Sequence, residues 1–162
     1  MTVAVDTNIL FDILLSDQMY KDSSLELIFY YSRTDRLIIS EIVYSELASQ
    51  FNDVKLLDSF LNDSNINLEQ TTSTGLWIAS RAWEKYTKNS DDKLQCRQCG
   101  NKQQIKCAEC EEIISSRQHI ISDFLIGGHA SEKSDILLTR DLGFYRNYFK
   151  DLNIINELKS QD

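Results

Sequence analysis

The chain has 162 residues, of which 42% are hydrophobic and 26% are charged, which is the size and balance of one ordinary globular domain. No apolar run approaches the roughly 20 residues that a membrane-spanning helix needs, so we expect no membrane association. The formal net charge of -8 excludes the broadly basic surface that nucleic-acid-binding proteins usually present, so any contact with nucleic acid has to be local.

The first half of the chain alternates short apolar runs with segments of helical spacing. Strands are predicted at Thr2–Val5, Leu37–Ile39 and Ile66–Leu68. Helices are predicted from Ile9 onwards and at about Asp22–Tyr31, Glu41–Phe51, Asp53–Leu61 and Thr74–Lys88. Ser40 is a favourable N-cap residue for the helix that begins at Glu41.

The character of the chain changes after the last of these helices. The segment Asp91–Arg117 is polar, holds all four cysteines and lacks sustained periodicity, so we interpret it as a module inserted into a single domain of residues 1–162. Beyond it, the pattern predicts a helix at about Ser122–Glu132, a strand at Ile136–Leu138, an amphipathic turn through Phe149 and a last strand at Leu152–Ile155. This alternation predicts an α/β fold with a mostly parallel sheet flanked by helices, and a ligand site at the carboxyl ends of the strands.

Four acidic residues are candidates for that site. Asp6 directly follows the first predicted strand, and Asp141 closely follows Ile136–Leu138. Glu46 lies near the core-facing stripe of its helix, and Asp123 lies in a first helical turn. Taken singly, each has an ordinary explanation as a cap, a turn residue or a solvated helical acid. Four carboxylates at one sheet edge would repel each other unless neutralised, and magnesium or manganese is the usual neutraliser of an all-oxygen site.

Four segments of the sequence resemble the acidic motifs of PIN-domain nucleases, in particular VapC-type toxins of type II toxin-antitoxin pairs. These segments are VAVDTNIL, EIVYSELASQF, SDFLIGGHA and ILLTRDLGFY, and the resemblance covers nearly the whole chain apart from the cysteine insert. The resemblance implies a PIN-like α/β fold and an endoribonuclease that hydrolyses RNA phosphodiester bonds with Mg²⁺ or Mn²⁺. It also implies a small antitoxin partner and, commonly, a homodimer.

The resemblance carries the family's metal-binding acids over to Asp6, Glu46, Asp123 and Asp141, with one acid in each motif. The family implies one or two cations held by these side chains, without a protein nucleophile. Thr7 resembles the small hydroxyl residue that follows the first acid in the family. Its hydroxyl could bond a metal ligand or a phosphate, and an ordinary threonine at a helix start is an equally good interpretation.

The four cysteines form two C-x-x-C pairs, Cys96 with Cys99 and Cys107 with Cys110, separated by seven residues. This spacing predicts a zinc-knuckle insertion in which four thiolates complete a structural Zn²⁺ site. Two disulfides, a redox pair and an iron–sulfur cluster are the competing interpretations. The module could stabilise a long loop or help to grip RNA or antitoxin, and the sequence leaves both roles open.

Several further residues admit two interpretations each. Arg140 could meet a phosphate or pair with a neighbouring acid. His119 and His129 are interpreted as surface or half-buried structural residues, and Gly127–Gly128 as a site of close packing against the sheet or a helix. The aromatic residues with helical spacing near the end of the chain indicate a packed face, in the core or at a dimer contact, rather than a base-stacking surface. They are Phe144, Tyr145, Tyr148 and Phe149.

Alternative functions remain open at this stage. An RNA-processing PIN nuclease that does not act as a toxin has the same acid set, and a non-catalytic zinc-bearing interaction module would keep the fold without the chemistry. A phosphoacceptor receiver domain is set aside, because Asp6-Thr7-Asn8 lacks the paired acids that such a domain requires. The confinement of all cysteines to one module, and the acids that interrupt the apolar N-terminal stretch, predict a cytoplasmic protein.

Overall fold

A computed structural model of the chain describes residues 1–89, 93–95, 102–114 and 120–158. The described strands are β1 (Thr2–Val5), β2 (Arg36–Ile39), β3 (Ile66–Leu68), β4 (Leu94–Gln95), β5 (Lys102–Gln103), β6 (Ile105–Lys106), β7 (Ile113–Ile114), β8 (Ile136–Leu138) and β9 (Ile154–Ile155). The described helices are α1 (Thr7–Leu14), α2 (Lys21–Thr34), α3 (Glu41–Ala48), α4 (Val54–Asp63), α5 (Ser73–Asn89), α6 (Ile121–Lys133) and α7 (Leu142–Tyr148). In these parts of the chain, no helix combines the length and the apolar character needed to cross a membrane.

Five of the strands form one sheet in the order β3-β2-β1-β8-β9, and all neighbouring strands in it are parallel. The predicted parallel sheet flanked by helices is therefore confirmed. The central strand β1 pairs with β2 and with β8, and its Val5 lies opposite Leu138. This register places Asp6 and the segment that starts at Thr139 side by side at the carboxyl edge of the sheet.

Local sequence signals set several of the helix starts. The Ser40 hydroxyl accepts a hydrogen bond from the Val43 N–H at 3.3 Å, as its predicted N-cap role requires. Asp53 caps α4 in the same way, through the Lys55 N–H at 3.0 Å. Helix α3 ends at Ala48, three residues before the predicted end at Phe51. Phe51 lies beyond the helix and still packs on the core, so its apolar character alone made the predicted helix too long.

Helices α5 and α6 cross closely at small residues. A Cβ atom on Gly128 would lie 2.4 Å from the Gly75 carbonyl oxygen, and one on Gly127 would lie 2.3 Å from the Phe149 ring. The predicted close packing at the two adjacent glycines is confirmed. The aromatic residues predicted to form a packed face do so around Phe124, whose ring centroid is 4.9 Å from that of Phe144.

The described part of the insert contains two separate antiparallel strand pairs, β4 with β5 and β6 with β7. Each of these strands has two residues, which is too short to leave a periodic pattern in the sequence. Cys107 and Cys110 lie in the connection between β6 and β7, and both are free thiols. Cys96 and Cys99 lie outside the described residues, so the four-thiolate site stays a prediction.

Candidate active site

The four predicted acids line one cavity of about 290 Å³ at the carboxyl edge of the sheet. They come from four separate places in the fold: the end of β1, helix α3, the first turn of α6, and the loop between β8 and α7. The cavity is lined by Asp6, Thr7, Asn8, Phe11, Glu46, Asp123, Ile126, Asp141, Phe144 and Tyr145. The structure therefore brings together all the residues that the sequence predicted for an oxygen-ligand site.

Asp6 is the most buried of the four acids, with 6% of the residue exposed. It stands at the N-cap position of α1, but its side chain does not cap the helix. Its Oδ2 instead accepts hydrogen bonds from Thr139 Oγ1 at 2.6 Å, Asn8 Nδ2 at 2.8 Å and the Tyr145 hydroxyl at 3.3 Å. These three donors fix the orientation of the carboxylate.

Burial raises the pKa of Asp6 from its ordinary value of 3.8 to about 6, and the nearby Glu46 carboxylate adds to the rise. Hydrogen bonds from Thr139 and Tyr145 act in the opposite direction, because they favour the charged form. Burial also raises the pKa of the Tyr145 phenol well above its ordinary value, and the Asp6, Asp123 and Asp141 carboxylates raise it further. The cavity is therefore strongly negative when its acids are ionised.

Glu46 and Thr7 are neighbours in the lining of the cavity. The Thr7 hydroxyl donates a hydrogen bond to Glu46 Oε2. Thr7 is 5% exposed and is also the first residue of α1, so it is both a helix-start residue and a partner of a predicted ligand. Its hydroxyl holds the Glu46 carboxylate in place without carrying charge itself.

Asp123 and Asp141 each cap a helix and line the cavity at the same time. Asp123 Oδ2 accepts a hydrogen bond from the Ile120 N–H at 3.1 Å, and Asp141 Oδ1 accepts one from the Phe144 N–H at 3.1 Å. The capping interpretation and the site interpretation of these acids are therefore compatible. Each helix start fixes the position of one carboxylate at the cavity.

Thr139 and Asn8 are structural partners of the site that the sequence reasoning did not single out. Thr139 is fully buried; its hydroxyl donates to Asp6 and accepts hydrogen bonds from the Asp141 N–H and from Asn8 Nδ2, both at 3.1 Å. It therefore joins two of the predicted ligand residues directly. Both residues lie inside the motif segments already noted, two residues from an acid, and this spacing is the signal that could have revealed them.

The donors around the cavity are carboxylate, hydroxyl and amide oxygens, which fit Mg²⁺ or Mn²⁺ and do not fit a thiolate-preferring ion. Among residues 1–89, 93–95, 102–114 and 120–158, however, no three His, Cys, Asp or Glu side chains are arranged so that they could hold one metal ion. Carboxylates without a counter-ion repel each other, and protein donors orient these side chains instead. The chemistry of the donor set fits a hard cation, although the acids do not form a closed ligand group.

Arg140 and His129 do not line the acidic cavity. Arg140 pairs with Asp12, with Nε 3.0 Å from the carboxylate Oδ2. Of its two interpretations, pairing with an acid is therefore the one observed. His129 is 1% exposed, so the expectation of a surface or half-buried residue is wrong. Within the described chain its Nε2 has no hydrogen-bond partner. His119 lies outside the described residues.

The chain is similar to known proteins both in its sequence profile and in its fold. The PIN domain profile matches residues 3–150. A chain of VapBC2 from Rickettsia felis, solved bound to a DNA fragment from their promoter, has a TM-score of 0.62 at 16% identity, covering 98% of this chain and 100% of that one. A chain of VapBC-1 from nontypeable Haemophilus influenzae has a TM-score of 0.63 at 16% identity, covering 96% and 97%. At 16% identity these two likenesses show similarity of fold alone. A search of curated proteins found no match to the sequence.

Proposed function

The chain belongs to the PIN domain family, whose members are nucleases, and we propose that it is an endoribonuclease that depends on Mg²⁺ or Mn²⁺. The observation that carries this proposal is the single cavity lined by Asp6, Glu46, Asp123 and Asp141. In the proposal these four carboxylates hold one or two cations. A cation held there would supply an activated water and would stabilise charge on the phosphate, so no protein nucleophile would be needed.

The residues around the acids have defined tasks in this proposal. Thr139 and Tyr145 hold Oδ2 of Asp6, and Thr7 holds Oε2 of Glu46. By bonding one oxygen of each carboxylate, these donors fix the orientation of the two acids. The charge of -8 is compatible with a polyanionic substrate, since a cation bound among the acids reverses the local field where the phosphate lies.

The test is cleavage of defined tRNA and rRNA with added Mg²⁺ or Mn²⁺. We expect metal-dependent cleavage by the wild type and its loss in Asp6→Asn, which keeps the shape of the side chain and removes its charge. Asp63→Asn, an exposed acid near the end of α4, is the matched control and should keep full activity. Unchanged cleavage by the Asp6 variant would show that these acids do not perform the chemistry.

We further propose that the enzyme is the toxin of a type II toxin-antitoxin pair, with a small protein antitoxin as partner and a homodimer as the active form. The support is the similarity of fold to chains of two VapBC proteins over nearly the full length. An RNA-processing nuclease outside such a pair is the alternative. A short upstream reading frame, growth arrest on expression and rescue by co-expression of that frame would favour the toxin. Growth unaffected by the wild type, together with RNA cleavage in vitro, would favour the alternative.

The third part of the proposal is a structural zinc ion in the inserted module, residues 91–117. In both strand pairs of the module a cysteine directly follows the first strand, Cys96 after β4 and Cys107 after β6. Six residues, C-x-x-C and two more, then connect each pair of strands. Backbone N–H groups of Cys110 and Glu109 lower the pKa of the Cys107 thiol, as suits a metal-binding thiolate.

We expect one zinc per chain by elemental analysis, and its loss in a Cys107→Ser, Cys110→Ser double variant. Protein with four cysteines in disulfides, detected by mass after alkylation, would contradict the zinc assignment. RNA affinity of the zinc-free variant then separates the two roles of the module. Unchanged affinity in a folded variant means that the module stabilises the chain, whereas weaker affinity means that it also contacts RNA.

A further inference from the structure

The Arg140 side chain lies outside the acidic cavity, in a polar cluster built by distant parts of the chain. Its guanidinium donates to Asp12 Oδ2 at 3.0 Å and to the hydroxyls of Ser23 and Ser24, both at 2.7 Å. It also donates to the backbone oxygens of Tyr20 and Asn156. One side chain thus connects α1, the start of α2 and the segment after β9.

The cluster is largely shielded from water, and each guanidinium nitrogen donates to a protein acceptor. The Arg140 side chain is 17% exposed and that of Asp12 is 12% exposed, so their attraction is screened less than that of a surface pair. Ser24 Oγ donates to the same Asp12 oxygen at 2.6 Å while it accepts from Arg140. A planar guanidinium can meet these acceptors together, whereas a single ammonium cannot.

The backbone of Arg140 connects this cluster to the acidic cavity. Its N–H donates to Asn8 Oδ1 at 3.0 Å, and Asn8 Nδ2 donates to Asp6 Oδ2 at 2.8 Å. Arg140 is also the covalent neighbour of both Thr139, which bonds Asp6, and Asp141. A displacement of Arg140 would therefore move both Asp6 and Asp141.

We propose that Arg140 is a positioning residue for the cation site, not a phosphate ligand. Its guanidinium anchors residues 139–141, and this anchor sets the distance between the carboxylates of Asp6 and Asp141. The inference rests on the proposed function, because it assumes that these acids bind a cation. The guanidinium nitrogens already serve protein acceptors, which leaves phosphate recognition to other groups.

The test is calorimetric titration with Mn²⁺ alone, without RNA, at a temperature where circular dichroism shows every variant folded. Arg140→Lys keeps the charge and loses the planar guanidinium with its several donors. We expect its Mn²⁺ affinity to fall about tenfold, which is the usual effect of removing a residue that positions metal ligands. Arg81→Gln, which loses an exposed arginine paired with Glu84 on α5, is the control and should bind Mn²⁺ like the wild type.

The possible outcomes separate the two claims. Wild-type Mn²⁺ affinity in folded Arg140→Lys overturns the positioning role, and a raised KM for RNA with that unchanged affinity identifies a substrate contact instead. If Arg140→Lys does not fold, Ser24→Ala removes one acceptor of the guanidinium, and its unchanged affinity overturns the role equally. Absence of Mn²⁺ binding by the wild type refutes the proposed function itself.

Discussion

The buried Asp6 carboxylate allows a prediction about stability that does not depend on RNA cleavage. Asp6 is 6% exposed, and burial raises its pKa from 3.8 to about 6. The folded protein therefore holds this proton more tightly than the unfolded chain does. Stability contributed by the neutral form is present below about pH 4 and is lost as the pH rises towards 6. Above that window the ionised carboxylate costs the cation-free protein about 3 kcal/mol.

Asp6→Asn removes this cost, because the amide oxygen can still accept from Thr139 and no charge is buried. At pH 7.5, without added divalent cation, we expect the variant to be more stable than the wild type by about 2–3 kcal/mol. The free energies of unfolding are measured by urea denaturation followed by circular dichroism. The same pair of proteins at pH 4 is the internal control, since most of the difference should disappear there.

Two results would refute this reasoning. A variant that is less stable than the wild type at pH 7.5 would mean that the ionised form is well solvated or neutralised by the protein. A difference that stays constant between pH 4 and 7.5 would mean that the substitution acts through packing and not through charge.

The cation site, the Thr139 hydroxyl and the crossing of α5 with α6 can each be tested by a stability measurement. Saturating Mg²⁺ should stabilise the wild type and not Asp6→Asn, measured as a shift of the urea midpoint; equal shifts would place the bound cation elsewhere. Thr139→Val keeps the shape and removes the hydroxyl that joins Asp6 to Asp141. We expect urea denaturation to show a free energy of unfolding lower by about 2 kcal/mol. An unchanged free energy would show that this link contributes nothing to stability. Gly128→Ala should lower the thermal midpoint, because its Cβ would lie 2.4 Å from the Gly75 carbonyl. The control Gly143→Ala has open space around it and should be neutral or stabilising. Equal effects of the two substitutions would refute the argument that α5 and α6 cross closely at Gly128.

The sheet and its acids could be predicted because they are encoded locally. A run of apolar residues bounded by a turn predicts a buried strand, and a parallel sheet brings the ends of such strands to one edge. Asp6 and Asp141 each follow a predicted strand closely, so their place at the same edge of the sheet could be predicted. The direct pairing of those two strands is a long-range contact and could not. The roles proposed for Glu46 and Asp123 came from motif resemblance, and their place at the cavity depends on how α3 and α6 pack.

Features that depend on long-range geometry could not be predicted. Arg140 and Asp12 are 128 residues apart, and nothing near either residue indicates the other as its partner. The burial of His129 depends on how α6 packs in the folded chain, which the residues near it in the sequence do not specify. The insert's strands escaped prediction because two residues cannot show a period of two.

The order of the strands has a consequence for how the protein is made. Strand β8 inserts between β1 and β9, and the Thr139 hydroxyl that bonds Asp6 belongs to a residue 133 positions later in the chain. A ribosome therefore releases the first acid long before the residues that complete the cavity around it. Throughout most of translation the nascent chain has no assembled centre, and the acidic cavity forms only after nearly the whole sequence has emerged.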